Sequence, residues 1–193
     1  MKFSTHIETI VSKSRQRLGI LFRAFSCREL KFMKLAFTTY IRPLLEYNTQ
    51  VWSPTGLGEI NLIESVQRSF TRRIPHLKHL SYQERLTKIG LESLELRRLK
   101  YDVTMFFKII RGFVELSPGD FFVFASKSHS TRGNDFKISK PLLSKNLYNN
   151  RFSCRGINCW NFLPNDAVNA PSIASFKNKI NNIDFSKFLY GRA

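Results

Sequence analysis

Acidic residues are scarce in this sequence. Among 193 residues, 14 Asp and Glu stand against 31 Lys and Arg, which gives a formal net charge of +17. Such an excess repels itself in a compact state and favours a polyanionic partner, nucleic acid first and an anionic membrane surface second. An ordinary solvated basic surface is the open alternative. Long apolar runs are also missing, since none approaches the ~20 residues of a membrane span. Of the two polyanionic candidates we predict nucleic acid as the partner and no membrane.

Cysteine is equally scarce. The three cysteines are an odd number and indicate free thiols in a reducing compartment, the nucleus or the cytoplasm. Polar residues interrupt the apolar residues of the N-terminus, so we expect no signal peptide. A zinc site needs four ligands at compatible spacing. Cys154 and Cys159 lie far along the chain from His76 and His79, so we expect no metal and no cofactor.

The sequence offers no candidate catalytic centre. A two-metal polymerase or nuclease needs carboxylates close enough to share the ions. The five aspartates are scattered and none adjoins another acid; they are Asp102, Asp120, Asp135, Asp166 and Asp184. The "GLG" at 56–58 lacks the Lys-Ser/Thr and the βαβ context of a phosphate loop. We therefore expect that the chain is no enzyme on its own.

Hydrophobic periodicity predicts helices over the first part of the chain. A hydrophobic content of 42% with 18 phenylalanines argues against disorder. Apolar residues at helical spacing predict five helices before residue 114, with a kink or junction at Pro43. The predicted start signals are a Thr5–Glu8 capping box, a second helix near Cys27, a Ser81–Glu84 capping box and a Ser93 cap. Glycines at 90 and 112 end the fourth and fifth helices.

The pattern changes after Gly112, where helical periodicity fades. The segments 129–133, 136–139 and 151–160 read as short strands or extended pieces, and Ser172 reads as the cap of a last helix. The predicted fold is therefore mainly α, a helical bundle followed by a small mixed α/β C-terminal module. The predicted regions are an N-terminal connecting helix at 1–25, a helical body at 26–113 and a mixed extension at 114–193.

Basic residues recur in three segments. Residues 1–34, 68–100 and 127–160 hold eight, nine and seven Lys and Arg against two, three and one acids. Such segments can follow a phosphate backbone, although a solvated helix face stays open as the alternative for each residue. Aromatic residues such as Phe37, Tyr40 and Phe106 are expected in the core. The candidate nucleic-acid-binding residues are Arg68, Arg72, Arg73, Arg97, Arg98, Lys108, Arg132, Arg151 and Arg155.

Two pairs among these candidates are assigned by helical spacing. Arg68 and Arg72 lie four residues apart on the face of the third helix opposite its apolar stripe. Arg97 and Lys108 are placed in the same way on the fifth helix. We expect both pairs to be accessible to solvent.

An ordered set of segments resembles a known family. "RLGILFRAF", "YIRPLLEYNTQVWSP", "IESVQRSFTRRI", "ERLTKIGLESLELRR" and "CWNFLPNDAVNAPSIASFK" follow one another in the chain. This order is similar to the C-terminal part of reverse transcriptases of non-LTR retrotransposons, of the jockey-like group, from about Arg17 to Lys177. The family's paired-aspartate polymerase motif and its endonuclease have no counterpart in this sequence.

The resemblance implies a thumb and a C-terminal extension of an RNA-directed DNA polymerase. A thumb grips the template–primer duplex, so the implied partners are RNA and DNA, together with the palm and fingers of a parent polymerase. Under this interpretation the segment "YIRPLLEYNTQVWSP" helps to build the thumb and to hold the duplex, and it contains no catalytic residue. The alternative is a helical protein-interaction or self-assembly module with no role in nucleic-acid binding.

Overall fold

The computed structural model describes residues 3–125, 134–140 and 151–191. In this part of the chain the protein is mainly α-helical. The helices are α1 (Ser4–Ala24), α2 (Leu30–Tyr40), α3 (Arg42–Glu46), α4 (Thr49–Trp52), α5 (Leu57–Arg72), α6 (Tyr82–Ile89), α7 (Leu94–Ile110), α8 (Pro118–Phe121), α9 (Phe152–Arg155), α10 (Ile157–Phe162), α11 (Asn165–Val168) and α12 (Ile173–Asn181). Two short 3₁₀ turns, Pro75–Leu77 and Ser186–Phe188, complete the regular elements.

The chain forms two compact units. The first comprises the residues up to Arg98 together with the chain end from Tyr190, and the second comprises Leu99–Leu189. The chain end belongs to the first unit because the amide of Tyr190 donates to the carboxylate of Glu95 at 2.7 Å. The division falls within α7, whereas the sequence places a boundary near residue 114.

The division lies earlier because the second half of α7 packs with later helices. Phe106 lies 6.1 Å from Trp160 of α10, measured between ring centroids, and Phe107 stacks on Phe176 of α12 at 4.2 Å. Local periodicity ends at Gly112, but these long-range contacts assign the residues before it to the second unit.

The core of the first unit is built where α1, α2 and α5 meet. Phe37 of α2 stacks on Phe70 of α5 at 4.3 Å, and Phe22 of α1 lies 6.1 Å from the same ring. The predicted α5 stripe is confirmed, since all its members are fully buried: Ile60, Ile63, Val66, Phe70 and Ile74. Phe37 and Phe106 are buried as expected, but the expectation for Tyr40 is wrong because its side chain is 58% exposed.

Several predicted helix ends are confirmed. Ser81 and Glu84 form a reciprocal capping box, with the Ser81 amide 2.8 Å from a Glu84 carboxylate oxygen. The amide of Leu96 donates to the Ser93 hydroxyl at 3.2 Å, and that of Ser175 donates to the Ser172 hydroxyl at the same distance. The helix junction expected at Pro43 lies between α2 and α3.

Two predicted helix starts are wrong. Thr5 and Glu8 form no capping box because α1 already begins at Ser4, whose hydroxyl donates to Glu59 at 2.6 Å. The second helix begins at Leu30 rather than near Cys27. The guanidinium of Arg28 donates to the backbone oxygen of Phe22 at 2.8 Å and also to that of Phe25. These bonds satisfy free carbonyls at the end of α1 and hold the connecting residues outside a helix.

The α7 helix is buried on more than one face. Helical spacing predicts a buried stripe that includes Val103 and Phe106 and places Thr104 on the solvent side. Val103 and Phe106 are buried, but Thr104 is also only 6% exposed. The stripe prediction is therefore incomplete, because α7 contributes to both units and polar side chains pack on its remaining faces. The buried polar side chains of this helix are Glu95, Arg98, Lys100, Asp102 and Thr104.

The predicted strand at 151–160 is wrong, since α9 and α10 occupy this segment. Tertiary packing decides the outcome: Cys159 and Trp160 are buried, and a Cβ at Gly156 would meet the Phe106 ring at 3.0 Å. The described residues contain no strand, and their β structure is one antiparallel bridge between Phe124 and Ile138. Ile138 of this bridge lies in the predicted segment 136–139, which forms no strand, whereas 129–133 lies outside the described residues.

In the described ranges, no helix combines the length and the apolar character needed to cross a bilayer.

Candidate nucleic-acid interface

The C-terminal half of α5 brings three of the predicted binding residues together. Arg72 and Arg73 are exposed at the end of this helix, and Arg68 is half-buried one turn earlier. Cations are favoured at a helix C-terminus, where the last carbonyls give a partial negative charge. We call these three residues, together with Arg85 of α6, the α5–α6 arginine cluster.

Tyr82 links α5 to α6 within this cluster. The guanidinium carbons of Arg68 and Arg85 lie 5.2 and 5.5 Å from the centroid of its ring. A cation over an aromatic face is attracted by the ring quadrupole, which fixes both guanidinium groups near one point. Arg85 also donates to the Thr71 hydroxyl at 3.1 Å and to the Leu80 carbonyl at 2.9 Å.

The positive charges of the cluster act on one another. Burial is the largest cause that lowers the pKa of Arg85, and the charges of Arg72 and Arg68 lower it further. The group stays protonated at neutral pH because an arginine pKa starts far above it. The like charges of Arg68, Arg72 and Arg85 thus repel one another, and an anion placed here would relieve that repulsion.

The cluster has no carboxylate counterion in the described part of the chain. None of Arg68, Arg72, Arg73 and Arg85 lies within salt-bridge distance of an acid there. The buried acid Glu64 accepts instead from the Tyr82 hydroxyl and from the backbone amide of Leu94. Exposed arginines without a counterion are the groups from which phosphate contacts are made.

Arg73 is held against α1. Its guanidinium carbon lies 4.1 Å from the centroid of the Phe22 ring, and that of Arg28 lies 5.1 Å from the same ring. The aromatic contact holds the guanidinium of Arg73 over one ring face, while the residue as a whole stays exposed. Arg73 can therefore present its N–H groups outward at a low cost in side-chain entropy.

The predicted α7 arginines have structural partners. Arg97 donates two hydrogen bonds to the carboxylate of Glu46, the longer of them 3.1 Å. Its guanidinium also lies 3.9 Å from a carboxylate oxygen of Glu92. Arg98 is only 2% exposed. Neither belongs to the exposed basic surface, because Arg97 is neutralised by carboxylates and Arg98 is inside the fold. Arg97 was expected to be accessible to solvent, but it is half-buried.

The second unit holds the remaining predicted residues. Arg155 is buried and forms a bidentate pair with Asp102, at 2.7 and 2.8 Å. Lys108 is half-buried on α7, and Arg151 is exposed at the start of α9. Arg132 lies outside the described residues. The second unit therefore supplies Arg151 as an exposed position, while Arg155 stabilises the fold.

Sequence reasoning missed Arg85 as a member of the cluster. The available signal was its position three residues after Tyr82 in a helix that opens with a capping box. Residues three apart share a helix face, so an arginine and a tyrosine at this spacing can present one surface. The spacing could not predict that Arg68, which belongs to another helix, contacts the same Tyr82 ring.

Over the described ranges, no three His, Cys, Asp or Glu side chains are grouped as a metal ion requires. Cys159 is buried, and this burial, reinforced by the charge of Asp102, raises the pKa of its thiol. A thiol with a raised pKa is a poor thiolate donor and a poor nucleophile.

Comparison with known proteins gives one distant similarity to report. No protein-family model matches the chain, and no solved structure does so. An uncharacterized protein of Caenorhabditis elegans is 24% identical over 115 residues, which are 58% of this chain and 58% of that protein. The chain thus spans little more than half the length of this relative, and the similarity assigns it to no family.

Proposed function

We propose that this chain is a thumb and C-terminal extension of a non-LTR retrotransposon reverse transcriptase of the jockey-like group. In this role it binds template–primer nucleic acid, RNA and DNA, without catalysing polymerisation on its own. The parent protein would be an RNA-directed DNA polymerase whose palm and fingers complete the active site.

The observation that carries the proposal is the α5–α6 arginine cluster. Four arginines lie in one unit, Arg68 and Arg85 against the Tyr82 ring and Arg72 and Arg73 exposed at the end of α5, and none has a carboxylate partner among the described residues. Counterion release at such a surface favours a polyphosphate backbone. The net charge of +17 acts in the same direction by raising the local concentration of polyanions.

The experiment that tests this function is a titration of an RNA–DNA hybrid at several salt concentrations. For a complex formed through phosphates, log K falls linearly with the logarithm of the salt concentration, with a slope of about −0.9 for each phosphate neutralised. We expect a steep slope and little difference between hybrid sequences, since backbone contacts read no bases. The alternative, a module that binds only proteins, requires that no saturable binding of the hybrid is seen.

The absence of polymerase activity is part of the proposal. It rests on the scattered aspartates, none of which adjoins another acid in the sequence. A primer-extension assay with magnesium or manganese tests it, and incorporation that survives rigorous purification would contradict it.

Two finer parts of the proposal concern the C-terminal extension and the cellular location. That residues 114–193 form a mixed α/β extension is supported by the Phe124–Ile138 bridge. An intracellular, reducing location is supported by the three cysteines, which are unbridged, one of them exposed.

A further inference from the structure

An apolar groove lies on the first unit between the C-terminal half of α1 and the end of α2. It encloses about 310 Å³ and is lined by Arg17, Ile20, Leu21, Ala24, Phe25 and Tyr40. Ile20 is 56% exposed, Tyr40 58% and Phe25 40%. Several large apolar side chains that share one exposed depression typically mark an interaction site.

The walls of the groove are fixed. Arg17 donates to the backbone oxygen of Tyr40 at 3.1 Å, which ties α1 to the last residue of α2. Leu21 forms a buried floor, and the Phe25 ring contacts that of Phe32 edge to face at 5.1 Å. The groove is therefore preformed, which lowers the entropic cost of binding.

The rim of the groove is basic. From Thr9 to Arg28 the chain holds no acidic residue, and its positive residues are Lys13, Arg15, Arg17, Arg23 and Arg28. Lys13, Arg17 and Arg23 are exposed and lie on α1 within two turns of Ile20. Glu29, the next acid in the chain, is not among the lining residues.

We propose that this groove binds an acidic amphipathic helix of a partner protein, with apolar side chains in the groove and carboxylates against the basic rim. Helix-in-groove recognition uses anchors at i, i+3, i+4 and i+7, which match the length of exposed α1 surface between Arg17 and Phe25. Opposite charge at the rim speeds association and selects the partner.

Two other occupants fit less well. A second copy of the chain would bring two molecules of net charge +17 together at basic surfaces, which repel. A nucleobase stacks on aromatic faces, but aliphatic side chains from Ile20, Leu21 and Ala24 line much of the groove. The inference is independent of the proposed nucleic-acid function, because it uses none of the residues of the α5–α6 arginine cluster.

The test uses the full chain and a displayed library of helical peptides of about 16 residues, long enough to form a helix when bound. Peptides enriched on the wild-type chain are synthesised and titrated against Tyr40→Ala, Ile20→Ala and the control Tyr47→Ala. Tyr47 is 81% exposed and does not line the groove, so it matches Tyr40 in chemistry but not in place. Circular dichroism checks that each variant is folded.

We expect the enriched peptides to be amphipathic and acidic, and to bind the Tyr40 and Ile20 variants roughly tenfold more weakly or worse, as for other buried anchors. Tyr47→Ala should bind as the wild type does. Replacing the peptide carboxylates with amides should weaken binding to the wild-type chain at low salt. The proposal is overturned if no peptide is enriched, if the Tyr47 variant loses as much affinity, or if Tyr40→Ala weakens binding of single-stranded oligothymidylate instead.

Discussion

Glu64 caps α7 from a neighbouring helix, since its carboxylate oxygens accept hydrogen bonds from the backbone amide of Leu94 at 3.0 and 3.2 Å. The amide of Glu95 donates to the same carboxylate at 3.3 Å. Because Glu64 is only 3% exposed, its negative charge meets the positive end of the α7 helix dipole with little screening. Tyr82 also donates to Glu64, so one buried carboxylate joins α5, α6 and α7.

The substitution Glu64→Gln should destabilise the first unit. The amide keeps the shape of the side chain but loses the charge and one acceptor oxygen, leaving a buried donor without its partner. We expect the free energy of unfolding to fall by about 1–3 kcal/mol in a urea titration. Glu115→Gln, at an exposed position, is the matched control and should change it little. Equal stability of the two variants would show that the Glu64 cap contributes nothing.

Tyr82 should make the stability depend on alkaline pH. Burial first, and the charge of Glu64 second, raise the pKa of Tyr82 above its ordinary value of 10.0. The folded protein therefore holds this proton while the unfolded chain releases it, so stability is complete below pH 10 and falls as the pH rises further. The loss has a limiting slope of about 1.4 kcal/mol per pH unit.

The measurement is urea unfolding from pH 8 to pH 11 for the wild type, Tyr82→Phe and the control Tyr47→Phe. Tyr82→Phe should have a shallower decline above pH 10, whereas Tyr47→Phe should follow the wild type. Cys159, whose pKa is also raised by burial, stays in all three proteins and leaves a common background. Parallel curves for the wild type and Tyr82→Phe would contradict the assignment.

The Asp102–Arg155 pair should contribute more to stability than the exposed Lys179–Asp166 pair. Both side chains are almost fully buried, with bonds of 2.7 and 2.8 Å, whereas Lys179 and Asp166 lie 3.1 Å apart in contact with solvent. A double-mutant cycle with Asp102→Asn and Arg155→Met should give a coupling of about 1–3 kcal/mol. The same cycle on Asp166 and Lys179 should give less than about 1 kcal/mol. A larger coupling for the surface pair would be evidence against this prediction.

Local signals were sufficient for the α5 stripe and for three helix caps, although they misplaced the starts of α1 and α2. The α5 stripe and the caps at Ser81, Ser93 and Ser172 depend on residues within a few positions, so the sequence predicts them directly. The α7 helix shows the limit. Its buried Asp102 finds its partner Arg155 53 residues further along the chain, and no periodicity of α7 reveals that pairing.

The same limit applies to the C-terminal part and to the candidate site. The segment 151–160 lacks helical periodicity, but Trp160 and Cys159 are buried through contacts that only the folded chain provides. Arg72 could be identified from the sequence as an exposed position on α5, whereas Arg68, which was expected on the same exposed face, is half-buried. Arg85 could not be joined to them, because Tyr82 connects it to Arg68 across two helices.

Binding of an RNA–DNA hybrid by an Arg72→Gln/Arg73→Gln variant tests the central claim most directly. Both side chains are exposed and have no carboxylate partner in the described part of the chain, so their loss should leave folding intact. The control is Lys13→Gln/Lys177→Gln, which removes the same charge from two exposed positions outside the cluster. If the α5–α6 arginine cluster holds the phosphate backbone, the first variant should lose affinity, and the salt slope of log K should fall by about one for each arginine. An unchanged slope, or an equal loss in the lysine control, would contradict a binding site at this cluster.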